Sequence, residues 1–246
     1  MGESLLLVAH GSRDPRHART VAALTRRIRS ARPGLPVATA FLDFDPPSVP
    51  DGLERLARHG ARRVVVQPLL LTRAFHASVD LPGALRRAPA SLAVRQARVL
   101  GPDPLLTAAL ERRLHEAGLR PGERTATAVV LAAAGTADPE AAAALAGTAR
   151  RWQRTGWRAV RPAFASGGTF PRTEDVVRML RAEGAERIAV APYVLAPGRL
   201  PDRIAAGAAA AGADRLGAVL GAAPELVRLV LRRYDEARAG ALALTG

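Results

Sequence analysis

The sequence predicts an α/β fold in which two tandem copies of one small domain each form a four-stranded parallel sheet covered by helices. Two observations predict this class. Short apolar segments alternate with helical segments along the whole chain, as in parallel sheets joined by helical crossovers. The segment that begins at Val8 also returns 124 residues later at Ala132, so the chain of 246 residues contains an internal repeat.

Two pairs of segments carry this repeat. The first pair is VAHGSRDP at 8–15 and AAAGTADP at 132–139, and the second is GARRVVVQP at 60–68 and GAERIAVAP at 184–192. We therefore expect an N-terminal domain at 1–117 and a C-terminal domain at 125–246, joined by a linker at 118–124. Each domain is long enough to bury a core of its own.

The first copy begins with a buried apolar strand. Pro15 then falls at the start of a helix, where its missing N–H is harmless, and Pro33 with Gly34 ends that helix. A later run at 63–71 is apolar at successive positions, as expected of a parallel strand buried on both faces. The predicted strands are 5–9, 37–42, 63–71 and 93–100, and the predicted helices are 15–30, 49–59, 79–87 and one that begins at Pro104.

The second copy repeats this order after the linker. Its predicted strands are 127–132, 158–163, 187–195 and 217–220, and its predicted helices are 140–155, 173–183, 201–211 and 224–238. Each copy therefore has four strands and four helices in strict alternation.

Composition narrows the classes of function. The chain has no cysteine, which excludes disulfides, thiolate nucleophiles and cysteine-ligated metal centres. No apolar stretch approaches the roughly 18 residues of a membrane span, and no signal peptide is recognised, so we expect a cytoplasmic protein without a membrane partner. All 36 basic residues are arginines, scattered and without interleaved aromatic residues, so nucleic acid is not expected as a partner. A fused repeat removes one reason to dimerise, and we expect a monomer.

Histidine occurs at the matched motif positions only in the first copy. His10 directly follows the first strand, and its counterpart is Ala134. His76 follows the third strand, and its counterpart is Leu200. The N-terminal domain is therefore expected to carry the chemistry, and the C-terminal domain to be a degenerate copy that closes a cleft over it.

The expected strand order places three polar side chains at one edge of the first sheet. With the order 2-1-3-4, strands one and three are neighbours about 5 Å apart, and His10 and His76 follow their carboxyl ends. Asp43 follows strand two, on the other side of His10. Two imidazoles at this spacing can bind one metal ion, so the sequence predicts a metal or proton-transfer site.

Other interpretations of these residues stay open. His10 can hydrogen-bond the turn that it occupies, and Asp43 can be a turn or capping residue. The three remaining histidines, His17, His59 and His115, lie in helices or at their ends and are assigned no role.

Two polar residues of the first motif are interpreted as helix caps. Ser12 and Asp14 precede the first helix, where such side chains accept backbone N–H bonds. Their counterparts, Thr136 and Asp138, keep that capacity in the copy that lost its histidine. A structural role is therefore favoured at both positions.

These motifs resemble the sirohydrochlorin chelatases, which are class II chelatases that insert ferrous iron or cobalt into a tetrapyrrole on the way to siroheme or cobalamin. The resemblance rests on VAHGSRDP near the N-terminus and on PLLL at 68–71 followed by FHASVDLP at 75–82, and it covers nearly the whole chain as a fused two-domain form. It implies that His10 and His76 hold the metal and receive the protons of the macrocycle, with Asp43 assisting. It also implies that Fe²⁺, Co²⁺ or Ni²⁺ is the substrate metal and that no other cofactor is needed. No Walker-type loop is present, so ATP is not expected.

The resemblance also suggests how the tetrapyrrole is bound. This substrate carries many carboxylates, which arginine recognises well. Arg13 and Arg73 lie beside the two histidines and are the candidate substrate-binding residues, with Asp43 at the same edge. For each arginine, a solvated surface position is the competing interpretation.

Other functions compete with metal insertion. A tetrapyrrole or metal carrier would use the same cleft without turnover. A histidine phosphatase also has a His-Gly pair after its first strand, but its chemistry needs an arginine before the histidine, where this chain has Ala9. A dehydrogenase is disfavoured because Gly11 lacks the remaining glycines of a G-x-G-x-x-G turn.

Overall fold

The computed structural model describes residues 3–72, 81–166 and 170–242. It contains two parallel sheets with flanking helices. The first copy contains strands β1 (Ser4–Ala9), β2 (Val37–Phe41), β3 (Arg63–Pro68) and β4 (Ala93–Gln96), and helices α1 (Pro15–Ala31), α2 (Val49–Arg58), α3 (Leu81–Leu85) and α4 (Pro104–Glu116). The second copy contains strands β5 (Thr127–Gly135), β6 (Ala159–Ser166), β7 (Arg187–Tyr193) and β8 (Arg215–Leu216), and helices α5 (Pro139–Gln153), α6 (Thr173–Ala182), α7 (Arg199–Ala210) and α8 (Pro224–Leu242). The predicted α/β class is confirmed.

The strand order is β2-β1-β3-β4 in the first sheet and β6-β5-β7-β8 in the second. All neighbouring strands are parallel, which is the arrangement that the sequence predicts. Leu5 of β1 pairs with Val37 on one side and Val65 on the other. The segments that leave β1, β2 and β3 therefore emerge at one carboxyl edge of the first sheet.

Burial explains why the central strands are apolar at every position. All side chains of β1 are buried, and so are those of β3 from Val64 to Pro68. A parallel sheet covered on both faces has no side that favours polar residues. Ser4 of β1 and Gln67 of β3 are the buried polar exceptions. Gln67 is fully buried, and its Nε2 donates to the carbonyls of Pro68 (2.8 Å) and Arg98 (3.1 Å). Both of its amide N–H groups are thus satisfied.

The compact units of the structure differ from the sequence repeats by one helix each. Residues 1–101 and 221–246 form one unit, and residues 102–220 form the other. The predicted domains, 1–117 and 125–246, follow the repeat instead. In the structure α4 packs against β7, whereas α8 packs against β3 and α1. The periodicity of a helix indicates its buried face but not the sheet that it covers, which is why the sequence did not predict this assignment.

Charged contacts fix α8 within the first unit. Arg32, which follows α1, forms two hydrogen bonds to the Asp235 carboxylate, at 2.6 and 2.8 Å. Arg233 is buried, and its Nε donates to the carbonyl of Val99 at 3.3 Å. A buried guanidinium that is held by a backbone carbonyl ties the helix to the loop after β4.

The ends of several predicted strands were wrong. The last strand is Arg215–Leu216 rather than 217–220, and β4 ends at Gln96 rather than at residue 100. The segment 217–220 is apolar, and its Leu220 is fully buried, but these residues do not form a strand of the sheet. Burial without strand pairing produced the misleading pattern. The predicted linker also enters a short 3₁₀ helix at Pro121–Ala126. Across the three described ranges, no helix has both the length and the apolar character needed to cross a lipid bilayer.

The turns before α1 and α5 are capped in the same way, as the sequence predicts. Asp14 accepts from the Arg16 N–H at 2.9 Å, and the Ser12 hydroxyl accepts from the Asp14 N–H at 3.1 Å. In the second copy, Asp138 accepts from the Glu140 N–H at 2.9 Å, and the Thr136 hydroxyl accepts from the Asp138 N–H at 3.0 Å. The capping interpretation of both pairs is confirmed.

Asp14→Ala is expected to lower the melting temperature by about 2–4 °C, because it removes the cap of α1. Asp14→Asn should keep the cap and lose only the charge. The Arg16 side chain and N–H bonds lower the pKa of Asp14 from 3.8 to about 2, so the folded chain releases this proton more readily than the unfolded chain. That contribution to stability is present above pH 3.8 and is lost as the pH falls toward 2.

Urea denaturation of the wild type and both variants between about pH 2 and 7 measures these effects. Asp138→Ala, which removes the equivalent cap of α5, is the matched control. Identical acid dependence in the wild type and Asp14→Asn would contradict the assigned role of the charge.

Candidate active site

The turns that follow β1 and β2 lie against each other at the carboxyl edge of the first sheet. The Asp43 N–H donates to the His10 carbonyl at 2.9 Å, and the Ser12 N–H donates to the Asp45 carboxylate at 2.9 Å. Gly11 lies between these bonds with φ +95°, and a Cβ there would overlap the Asp43 carbonyl oxygen. Glycine is needed because backbone meets backbone with no room for a side chain.

His10 and Asp43 line one open cleft of about 500 Å³ beside these turns. This volume is in the range of small-molecule sites. Phe41 and Val49 supply apolar wall, and Arg87, two residues beyond α3, adds a guanidinium. His10 is partly exposed and Asp43 is exposed, so solvent reaches both side chains. The structure thus brings together two of the three residues that the sequence predicts at this edge.

The second histidine of the predicted pair lies outside the described residues. His76 and Arg73 both fall in the segment 73–80, so their place at the site stays a prediction. Among the side chains that the structure describes, no group of three or more histidines and carboxylates is arranged to hold a metal ion. His10 and Asp43 are therefore the two candidate donors that the described residues bring to this cleft. Imidazole and carboxylate both suit Fe²⁺ and Co²⁺.

Arg13 lies beside the site, as the sequence predicts. It is exposed, and its guanidinium carbon lies 5.5 Å from the ring centroid of Phe44. This distance is that of a cation–π contact, which holds the guanidinium without using its five N–H donors. Arg13 is therefore positioned and still able to bind an anion.

His17 lies closer to the site than the sequence suggested. Its ring centroid is 6.4 Å from that of Phe41, and its Nδ1 is buried without a hydrogen-bond partner among the described residues. Burial lowers the pKa of His17 and so favours its neutral form; the charge of Asp45 opposes this shift, and the charge of His10 adds to it. By contrast, His59 hydrogen-bonds the Arg55 carbonyl in the last turn of α2, and His115 hydrogen-bonds the Leu119 carbonyl beyond the end of α4, as expected of residues without a role at the site.

Sequence reasoning missed two residues at the site, Arg87 and Phe44. Arg87 follows the second histidine motif in the sequence but belongs to neither motif, and only the cleft reveals its position. Phe44 lies in the turn after β2, and no sequence motif marks it. Its ring contacts His10 edge to face, with the centroids 6.0 Å apart and the planes at 84°. The adjacent Asp43 was a signal that this turn matters.

The second copy keeps the backbone of this site but not its donors. Gly135 has φ +136°, and a Cβ there would overlap the Ser166 carbonyl oxygen, as at Gly11 and Asp43. Ser166 therefore takes the place of Asp43, and Ala134 takes the place of His10. Both candidate donors are therefore absent from the second copy, although the close approach of the two turns is kept. The turn geometry does not require a histidine or an aspartate at these positions.

Comparison with known proteins agrees with this arrangement. The CbiX family model matches residues 4–117 and again residues 128–237. A sirohydrochlorin cobaltochelatase of Priestia megaterium is 31% identical, over 82% of this chain and 67% of its own length. A sirohydrochlorin ferrochelatase of Bacillus subtilis is 28% identical, over 83% of this chain and 78% of its own. The solved structure of SirB from Bacillus subtilis with Fe³⁺ has a TM-score of 0.85 and 25% identity, covering 99% of this chain and 98% of that one.

The two matched segments coincide with the two copies of the repeat, and together they span most of the sequence. The resemblance to the sirohydrochlorin chelatases that the histidine motifs indicated is confirmed, because the CbiX model matches far more of the chain than those motifs. The chain belongs to the CbiX family.

Proposed function

We propose that this protein is a chelatase that inserts Fe²⁺ or Co²⁺ into sirohydrochlorin without ATP. The observation that carries the proposal is the cleft lined by His10 and Asp43 in a chain of the CbiX family. Relatives named as sirohydrochlorin chelatases for cobalt and for iron support the reaction class. The affinity of an N/O site rises from Fe²⁺ to Co²⁺ to Ni²⁺, so metal supply decides between them, with Ni²⁺ as a third candidate.

The reaction needs a metal donor and a proton acceptor at the same place. The metal-free macrocycle loses two N–H protons as it gains one divalent ion, so the charges balance when two protons leave. Neutral imidazole binds such ions and accepts protons near pH 7. We assign both tasks to His10, together with His76 from the sequence motif. Asp43 assists as a second acceptor, because it lines the same cleft.

Arginine at the cleft is proposed to bind the carboxylates of the macrocycle. Arg87 lines the cleft, and Arg13 lies close to His10 with its N–H donors available. Arg73 joins them as a candidate from the sequence. Guanidinium groups bind carboxylates through two parallel hydrogen bonds, which fixes the orientation of the substrate as well as holding it.

Arg87→Gln is expected to raise the KM for sirohydrochlorin about three- to tenfold with little change in kcat, because it removes a charge-assisted contact made equally before and during the reaction. Initial rates at varied sirohydrochlorin concentration measure this effect. Arg86→Gln is the matched control, since Arg86 is the exposed neighbour that does not line the cleft. Equal KM values in the two variants would remove Arg87 from the binding site.

An anaerobic time course tests the proposed activity. Metal-free sirohydrochlorin is mixed with Fe²⁺, Co²⁺ or Ni²⁺ in the presence and absence of the protein, and metallation is followed by absorbance. Metallation faster than the spontaneous reaction, with many turnovers per protein molecule, is the expected result. Tight binding without any gain in rate would contradict the proposal and identify a carrier instead.

A further inference from the structure

Phe44 occupies a backbone conformation that a stable fold alone does not explain. Its φ is +63°, and it is the one non-glycine residue with positive φ in the described ranges. This region suits glycine, asparagine and aspartate and is unfavourable for a bulky side chain. Phe44 is also 51% exposed, so its side chain recovers little hydrophobic stabilisation in exchange. Such a residue is expected at a site where function requires it.

The surrounding turn holds Phe44 rigidly beside His10. The Phe44 N–H donates to its neighbour's carboxylate, Asp43 Oδ1, at 2.8 Å. The Asp45 N–H donates to the Asp43 carbonyl at 2.7 Å, which closes the turn tightly around Phe44. The edge-to-face contact with His10 and the guanidinium of Arg13 then fix the ring itself. An exposed aromatic side chain thus lies next to a candidate metal ligand, in contact with it and with the guanidinium of Arg13.

The sequence of the second copy has other residues at the positions that correspond to Arg13 and Phe44, as it does at the position of the histidine. Arg13 corresponds to Ala137, and the residue that follows Ser166 in the sequence is Gly167. A glycine has no conformational penalty in the backbone region that Phe44 occupies. Phe44 and its guanidinium partner Arg13 therefore occur in the same copy as the two candidate donors. In the sequence of the other copy, these two residues and both donors are replaced.

We propose that Phe44 is the platform on which the flat, conjugated macrocycle of the substrate stacks, with Arg13 fixing the ring and binding a peripheral carboxylate. This inference rests on the proposed function, because it takes its substrate from there. A planar π-system gains both buried area and a favourable offset contact on an aromatic side chain. Stacking at Phe44 would place the plane of the macrocycle beside His10, within reach of the metal.

Binding of metal-free sirohydrochlorin, followed by its fluorescence under anaerobic conditions, tests this platform without any chemistry. Phe44→Ala is expected to raise the Kd about tenfold, and Phe44→Tyr, which keeps a ring, to stay within about twofold of the wild type. Affinity for Co²⁺ alone, measured by calorimetry, should be unchanged in both variants. Met179→Ala, which removes another exposed apolar side chain from α6, is the control and should bind like the wild type.

Phe44→Gly separates substrate binding from stability. Glycine removes the ring and relieves the backbone, so this variant should melt at or above the temperature of the wild type while binding sirohydrochlorin as weakly as Phe44→Ala. A fall in melting temperature with unchanged sirohydrochlorin affinity would overturn the proposal, since it would make Phe44 a structural residue. Loss of Co²⁺ affinity with unchanged sirohydrochlorin affinity would also overturn it, because Phe44 would then only orient His10.

The same measurements distinguish this inference from the proposed function. Weaker binding in Phe44→Ala, with a wild type that metallates no faster than the spontaneous reaction, would support the platform and refute the chelatase activity. Unchanged binding in Phe44→Ala, with a wild type that turns over, would refute the platform and leave the activity standing.

Discussion

Replacing His10 by alanine is expected to reduce metal insertion to the rate of the spontaneous reaction. The substitution removes the imidazole at the end of β1 that we propose binds the metal and accepts a proton from the macrocycle. Loss of one general acid–base group typically costs about 10²- to 10⁴-fold in rate, and loss of a metal donor adds to this. Anaerobic initial rates with Fe²⁺ and with Co²⁺, each at saturating sirohydrochlorin, measure the effect.

The protein itself shows that this substitution is compatible with the fold. The second copy has Ala134 at the corresponding position, before a glycine that also has positive φ and makes the same close approach to the neighbouring turn. His10→Ala should therefore melt like the wild type, and its loss of activity reports on chemistry. His59→Ala is the matched control, because His59 is a histidine of the same unit whose ring bonds the carbonyl of Arg55 at a helix end. Full activity in His10→Ala would refute the assignment of the site.

The strand order and the position of His10 were predictable because they follow from local signals. Apolar runs mark the strands, the repeat at 124 residues marks two copies, and parallel strands must end at one edge. From these facts alone His10 and Asp43 were expected to be neighbours, and the structure places them in one cleft. The absence of a histidine at the matching position of the second copy, Ala134, is also a signal that the sequence alone provides.

The roles of Phe44 and Arg87 and the packing of α8 could not be predicted, because they depend on three-dimensional contacts that produce no periodic pattern in the sequence. The sequence places Phe44 in a turn, but its positive φ and its contact with His10 appear only when the two turns meet. Arg87 reaches the cleft through the packing of a five-residue helix, α3. In the same way, nothing in the amphipathic pattern of α8 distinguishes the sheet of one copy from that of the other, so the compact units were not predictable from the repeat.

Gly11→Ala is expected to lower the free energy of unfolding by about 2–5 kcal/mol, an effect on stability that only Gly135→Ala should match among these variants. A left-handed backbone costs alanine about 1–2 kcal/mol, and the overlap of its Cβ with the Asp43 carbonyl must be relieved by moving a backbone segment, which adds about 1–3 kcal/mol. Because Asp43 and Asp45 are bonded to the same turn, the movement also displaces the cleft. Activity should therefore fall along with stability.

Two other glycines separate these contributions. Gly34 has no positive φ, and no atom lies within 4 Å of the place that a Cβ would take, so Gly34→Ala should change stability by less than about 0.5 kcal/mol. Gly135 makes the same close approach as Gly11, but to Ser166 in the unit without His10. Gly135→Ala should thus match Gly11→Ala in urea denaturation while leaving the geometry around His10 intact. If Gly11→Ala instead unfolded like Gly34→Ala, the turns after β1 and β2 would have to lie further apart than the two hydrogen bonds between them allow.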